Sequence, residues 1–343
     1  MMRLPLSWLL AFTTAALALL LLGSLATGPM TLTLGESLRA LFAGQESGIE
    51  SHKLLIVQGI RLPRTLLCIA VGGILGLCGA VMQGLFRNPL ADPGIIGVSG
   101  GAALGAALAI VLLAPLGQQL QTTIGIGLLP LLAFLGGALT TTLVYLLGTR
   151  EGGTSVTVML LAGVAITALS GAVIGLLTYL ADDQMLRNLS LWQMGTLAAG
   201  KPADVALALL TLAALLWLFM RDANPLNALL LGEGEARHLG VNVQSLKRRL
   251  ILLTAAGVGV AVAVSGMIGF VGLVVPHLVR LLAGPNHVRL LPLSALLGAA
   301  LLLAADMLAR TLLAPAELPV GIITALLGAP FFIWLLVKGR RAL

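Results

Sequence analysis

The stretch "AVGGILGLCGAVMQGLF", residues 70–86, carries no charge and shows no alternation of apolar and polar positions. A strand of an outer-membrane barrel alternates its two faces over about ten residues, whereas an unbroken apolar run of this length reads as a helix crossing lipid. Its glycines fit that reading. Lipid offers no hydrophobic drive for helices to associate, so bundles rely on small residues that let backbones approach.

Outward from this stretch the composition says the same. Of 343 residues 59% are hydrophobic, 10% are charged and 42 are glycine. Soluble domains carry about 25% charged residues, so this balance, with a mean hydropathy of +1.06, describes a polytopic membrane protein. The net charge of +7 does not point to nucleic acid, because the longest basic block is "KRR" at 247–249 and it abuts an apolar run. Cys68 and Cys78 sit in one apolar run on different turns of one helix, which favours packing over a disulfide or a metal site.

Requiring about 17 to 25 mostly apolar residues per span gives ten transmembrane helices in a single domain, 1–343. They fall near 6–27, 62–84, 94–114, 124–148, 156–180, 203–220, 248–266, 268–283, 290–313 and 319–338. The eighth is short and almost loopless, and a nine-span count would put the termini on opposite sides. The first run has the charge and small residues of a signal peptide, but its apolar core exceeds the 7 to 15 residues of one, which favours a retained helix. With both termini inside, Arg3, Arg87, Arg150, Arg221, Arg237, Lys247, Arg248, Arg249, Arg280, Arg289, Lys338, Arg340 and Arg341 face the cytoplasm. Arg39, Lys53, Arg61, Arg64, Arg187, Lys201 and Arg310 remain outside, so the positive-inside rule supports this orientation.

Three motifs fail on inspection. "GTLAAGKP" (195–202) has the spacing of a phosphate loop, but Pro202 stands where a hydroxyl should hold magnesium. "GVSG" (97–100) resembles the serine motif of rhomboid proteases, which needs a helix-borne base. His277 is the only histidine near a span, and ten spans exceed the simplest rhomboid. His52, His238, His277 and His287 are scattered without metal-ligand spacing.

What remains is polar detail at helix ends. "RNPLADPG" (87–94) reads as an inner turn: Pro89 and Pro93 stop helices, Asp92 is placed to cap the next one, and Arg87 marks the cytoplasmic end. In the inner loop, about 221–247, Asn224 and Pro225 break a helix, Gly232 and Gly234 permit sharp turns, and "EARHLG" forms a short amphipathic segment.

Four separated segments, "RLPRTLLCIAVGGILGLCGAVMQGLFRNPLADPGIIGVSGG" (61–101), "LLGEGEARHLGV" (230–241), "GMIGFVGLVVPHLVRLLAGPNH" (266–287) and "AELPVGIITALLGAPFFIWLL" (316–336), carry a resemblance that covers nearly the whole chain. It resembles the FecCD family, membrane permeases of type II ABC importers for iron-siderophores, haem and cobalamin. The resemblance implies an all-α fold of ten helices, a homodimer with the substrate path on its axis, and no catalysis by the permease itself. ATP with magnesium would be hydrolysed by a cytoplasmic ATPase homodimer that receives the inner loop at Gly232, Glu233, Ala236, Leu239 and Gly240. A periplasmic binding protein would dock at Arg61, Arg64 and Arg310, although Asp306, four residues before Arg310, is placed to pair with it. Thr154 and Ser155, at the inner end of the fifth span, match the cytoplasmic gate, and small hydroxyl residues there also suit helix capping. The connection 177–195 should form a short helix flanking the entrance.

"LLTYLADDQMLRNLSLW" (176–192) most resembles the haem-transporting branch, which makes haem the expected cargo, with iron-siderophore next and then cobalamin. No bound cofactor is expected. Tyr179, Met185 and His277 are not assigned as haem ligands, because a path should not hold its cargo by strong axial bonds. Membrane lipid is the remaining partner, and the expected location is the bacterial inner membrane.

Overall fold

The computed structural model describes residues 5–43, 49–113, 127–150, 153–198 and 200–340. Its helices in chain order are α1 (Leu6–Ala26), α2 (Leu34–Phe42), α3 (Leu62–Leu85), α4 (Val98–Val111), α5 (Leu128–Gly148), α6 (Val156–Leu180) and α7 (Asp183–Gln193). They continue with α8 (Pro202–Arg221), α9 (Ala223–Leu230), α10 (Glu233–His238), α11 (Val243–Ser265), α12 (Val271–Ala283), α13 (His287–Thr311) and α14 (Val320–Arg340). Residues Ser51–Leu54 and the π-helical turn Leu55–Arg61 run straight into α3. The only strands among the described residues are β1 (Thr149–Arg150) and β2 (Gly153–Thr154), an antiparallel pair between α5 and α6. The protein is an all-α bundle.

Seven of these helices are long and apolar enough to cross a membrane, and three shorter apolar helices, α4, α12 and α14, bring the total to the ten places expected from the sequence. Boundaries differ where backbone geometry intervenes. The third span was expected from 94, but Pro93–Ile96 is a 3-10 turn and α4 starts only after Gly97, whose φ of +83° favours glycine. Asp92 therefore caps that turn, its Oδ1 accepting from the Gly94 N–H at 2.7 Å. The eighth span was expected from 268, but Gly266 and Phe270 both have positive φ and α12 starts at Val271. Gly234, expected in a sharp turn, lies inside α10, and Gly232 alone makes that turn with φ +126°. Residues 114 and 124–126 of the expected third and fourth spans, with Arg3 and Arg341, lie outside the described residues.

The core is built around α3. Within its span 89% of the most apolar window is buried, against 17% for α1 and for α6. α3 packs against α13, α8, α12 and α11. Glycine sets how close these helices come. A Cβ at Gly72 would lie 2.4 Å from the Gly298 carbonyl oxygen, one at Gly76 2.3 Å from that of Ser294, and one at Gly79 1.9 Å from that of Gly272. α4 and α5 meet in the same way, since a Cβ at Gly105 would lie 1.9 Å from the Leu132 carbonyl oxygen. α1 joins the bundle through α13, and Ser24 Oγ lies 2.7 Å from Thr65 Oγ1 on α3.

These contacts leave no room for a methyl group. Gly79→Ala should lower the thermal stability of the detergent-solubilised protein by about 1–3 kcal/mol or more, the usual scale of overpacking. Gly35→Ala in α2, where a Cβ meets nothing within 4 Å, should leave the melting temperature unchanged or raise it. Equal effects of the two substitutions would contradict the close-packing account.

Candidate functional site

Polar groups gather at the two ends of the bundle. At the end expected to face outward Arg61, Arg64 and Arg310, expected as a dock, are only 3%, 5% and 2% exposed. The cause is the C-terminal end of α1, whose last carbonyls have no helical partner. Arg61 Nη1 donates to the carbonyls of Leu25 at 2.7 Å and Ala26 at 2.8 Å, and its Nη2 donates to that of Met30. Arg310 donates to the Thr27 carbonyl at 3.1 Å and to Ser24 Oγ at 2.8 Å. The fully buried Asp306 lies 2.9 Å from Arg64 and 3.0 Å from Arg310, and Arg64 Nη1 donates to Glu317 at 2.7 Å. Two carboxylates thus balance two guanidiniums, while the third closes the end of α1. The three residues expected to dock a partner are thus each hydrogen-bonded within the chain.

At the opposite end, expected to face the cytoplasm, the loop after α8 folds into α9 and α10 and is pinned at three points. Arg249 of α11 donates through Nε to Asp222 Oδ2 at 2.8 Å, and Asp222 is 5% exposed. Asn227 of α9 accepts from the His287 backbone N–H at 2.8 Å and donates to Asn286 Oδ1 at 2.9 Å, which ties α9 to the start of α13. Glu233, the first residue of α10, accepts from Lys247 of α11 at 2.6 Å.

The ends of α10 follow from its sequence. Gly232 supplies the positive φ before it. Gly240, with φ +82°, ends it in a Schellman arrangement, its N–H donating to the Arg237 carbonyl and the Val241 N–H to that of Ala236, both at 2.9 Å. Of the five residues expected to meet an ATPase, Leu239 is 64% exposed and Gly240 is open, Gly232 and Glu233 are half-buried, and Ala236 is fully buried as an anchor.

Beside this loop stands the hairpin expected to hold the gate. Thr154 is buried in β2, its hydroxyl 3.1 Å from that of Thr149, while the exposed Ser155 caps α6 by accepting from the Val158 N–H at 3.4 Å. Between hairpin and loop opens a cleft of about 590 Å³ lined by Arg150, Arg237, Asn242 and Gln244 among others. On the same side Asp92 sits in the turn after α3, where burial pushes its carboxyl above the usual range and the Gly94 N–H pulls it back down. In sequence Lys247 stands in the basic block "KRR"; its place three residues after Gln244 on the same helix face is the signal for more.

The residues weighed against haem iron are dispersed. Tyr179 is 86% exposed at the end of α6, Met185 lies on α7, and His277 of α12 packs edge-on to Phe331 with ring centroids 6.2 Å apart. α7 forms where a short outer helix was expected.

A bundle with ten apolar helices and a seated loop at one end is the architecture of a permease subunit of a type II ABC importer. Residues 16–338 match the model of the FecCD transport family, and the chain belongs to that family. It is 47% identical over 336 residues, 97% of this chain and 96% of the relative, to the hemin transport system permease protein HmuU of Yersinia pestis. It is 44% identical over 297 residues, 87% of this chain and 77% of the relative, to the cobalamin import system permease protein BtuC of Halobacterium salinarum. Among solved structures it is similar to an inward-facing conformation of a metal-chelate type ABC transporter, with 34% identity, a TM-score of 0.82, and coverage of 97% of this chain and 99% of that one.

Burial of the outer arginines has a measurable consequence. Arg64→Ala, which leaves the buried Asp306 with Arg310 alone and takes the partner from Glu317, should destabilise the protein by up to about 3–5 kcal/mol, the scale of breaking a buried ion pair, read as a fall in melting temperature in detergent. A variant with unchanged melting temperature but slower, less salt-sensitive association with a binding protein would restore the docking role.

Proposed function

We propose that this permease moves haem inward across the bacterial inner membrane, as a homodimer driven by a cytoplasmic ATPase homodimer and supplied by a periplasmic binding protein. Haem as cargo rests on one observation above others, the 47% identity to a hemin permease along 97% of the chain. Cobalamin is the second reading, favoured by several cobalamin permease relatives such as that of Halobacterium salinarum at 44% identity.

In this reading both termini are cytoplasmic, the permease holds no resident cofactor, and ATP and magnesium act in the partner. The exposed Leu239 and the open Gly240, on a loop held by Asp222, Asn227 and Glu233, support an ATPase seat built from Gly232, Glu233, Ala236, Leu239 and Gly240. A lever must be stiff to transmit displacement, and those three anchors supply stiffness. The gate is assigned to Thr154 and Ser155. α6 lines the dimer axis, a role supported by its low burial and by Gly171 and Gly175, which meet no atom within 4 Å of an added Cβ. ATP binding and hydrolysis rock the paired protomers between outward and inward states. Because Arg61, Arg64 and Arg310 are committed internally, the binding-protein dock is assigned to the outer loops that they brace.

Uptake into proteoliposomes containing the permease, its ATPase and its binding protein tests this. ATP-dependent accumulation of haem, with none of cobalamin or a ferric siderophore, is the expected result. Accumulation of cobalamin instead would overturn the cargo, and ATP-independent downhill flux would overturn the mechanism.

A further inference from the structure

The inner loop and the hairpin meet at one buried cation. Lys247 of α11 is 2% exposed. Its Nζ donates to Glu233 Oε1 at 2.6 Å and to the backbone carbonyl of Thr154 at 3.0 Å. Three residues earlier on the same helix, Gln244 Oε1 accepts from the Thr154 N–H at 3.0 Å. Both polar backbone groups of Thr154 are therefore held by side chains of α11. The grip is close, since a Cβ at Gly153, whose φ is +112°, would lie 2.4 Å from Gln244 Nε2.

We propose that Lys247, with Gln244, is the positioning device that makes the inner loop and the gate hairpin move as one body. The physical reason is the cost of separating them. If the loop shifted and the hairpin did not, Glu233 would leave Lys247, and a buried ammonium without its carboxylate is strongly unfavourable. If the hairpin lagged, Thr154 would lose partners for both its N–H and its carbonyl, and buried backbone groups are costly to leave unpaired. Displacement at α10 is therefore passed to β2, and through Ser155 to the first turn of α6. Arg237 and Arg150, the other cations around the cleft, are exposed, and Arg237 lies 3.8 Å from Glu233, so neither substitutes for the buried contact.

The inference rests on the assignments of loop and gate made above, and the test separates the two. In proteoliposomes carrying the full complex, haem uptake and ATP hydrolysis are measured together for wild type, K247M, K247R and Q244A. The expected result is that K247M and Q244A hydrolyse ATP within about twofold of wild type, while haem moved per ATP falls by at least about tenfold, within the usual range of coupling free energies. K247R, which keeps the charge, should recover part of that ratio. A ratio unchanged in K247M and Q244A, with the wild type active, overturns the proposal and leaves the importer reading intact. A wild-type complex that accumulates no haem with ATP overturns the reading itself and the proposal with it. If K247M does not assemble, Q244A, which leaves the ammonium paired with Glu233, decides alone on the same ratio.

Discussion

The bundle depends on the backbone-to-backbone approach of α3 to α13 and α12. Gly72, Gly76 and Gly79 face the carbonyls of Gly298, Ser294 and Gly272 at separations that exclude a side chain. Inside a bilayer there is little water to expel from between helices, so packing of this kind has to supply the association that burial supplies elsewhere. The buried ion pairs lie toward the ends of the helices this contact holds together.

At the outer end the same two helices bring Arg64 of α3 to Asp306 and Arg310 of α13, and the arginines then complete the C-terminal end of α1. A buried cluster of this sort fixes relative position more than it adds stability, because desolvation offsets much of the attraction. At the inner end the turn after α3 and the start of α13 frame the loop, and α11 reaches both the loop and the hairpin. One end is a brace and the other a linkage.

Much of this was legible in the residues. Ten apolar segments appear in order because a span must be long and apolar whatever it packs against, and "EARHLG" announced α10 by its pattern and its terminal glycine. Helix starts were harder. The 3-10 turn at Pro93–Ile96 and the late start of α12 come from local dihedrals at Gly97, Gly266 and Phe270, which hydropathy does not register. The burial of Arg61, Arg64 and Arg310 was not legible for a related reason. Near a span end, a surface charge and a buried one read alike until the carboxylate on another helix is located, and Asp306 lies 242 residues from Arg64. Lys247 was hidden inside "KRR", where Arg248 and Arg249 are exposed and only the lysine turns inward.

The account stands on the loop and the gate hairpin behaving as one rigid unit within a dimer that changes shape. Spin labels at Leu239 and Ser155 of the assembled transporter, with distances measured before ATP, with ATP trapped, and after hydrolysis, test that most directly. The prediction is a constant distance between Leu239 and Ser155 within a protomer, while the distance between the two Ser155 labels across the dimer changes with nucleotide. A within-protomer distance that changes while the distance across the dimer stays fixed would contradict it.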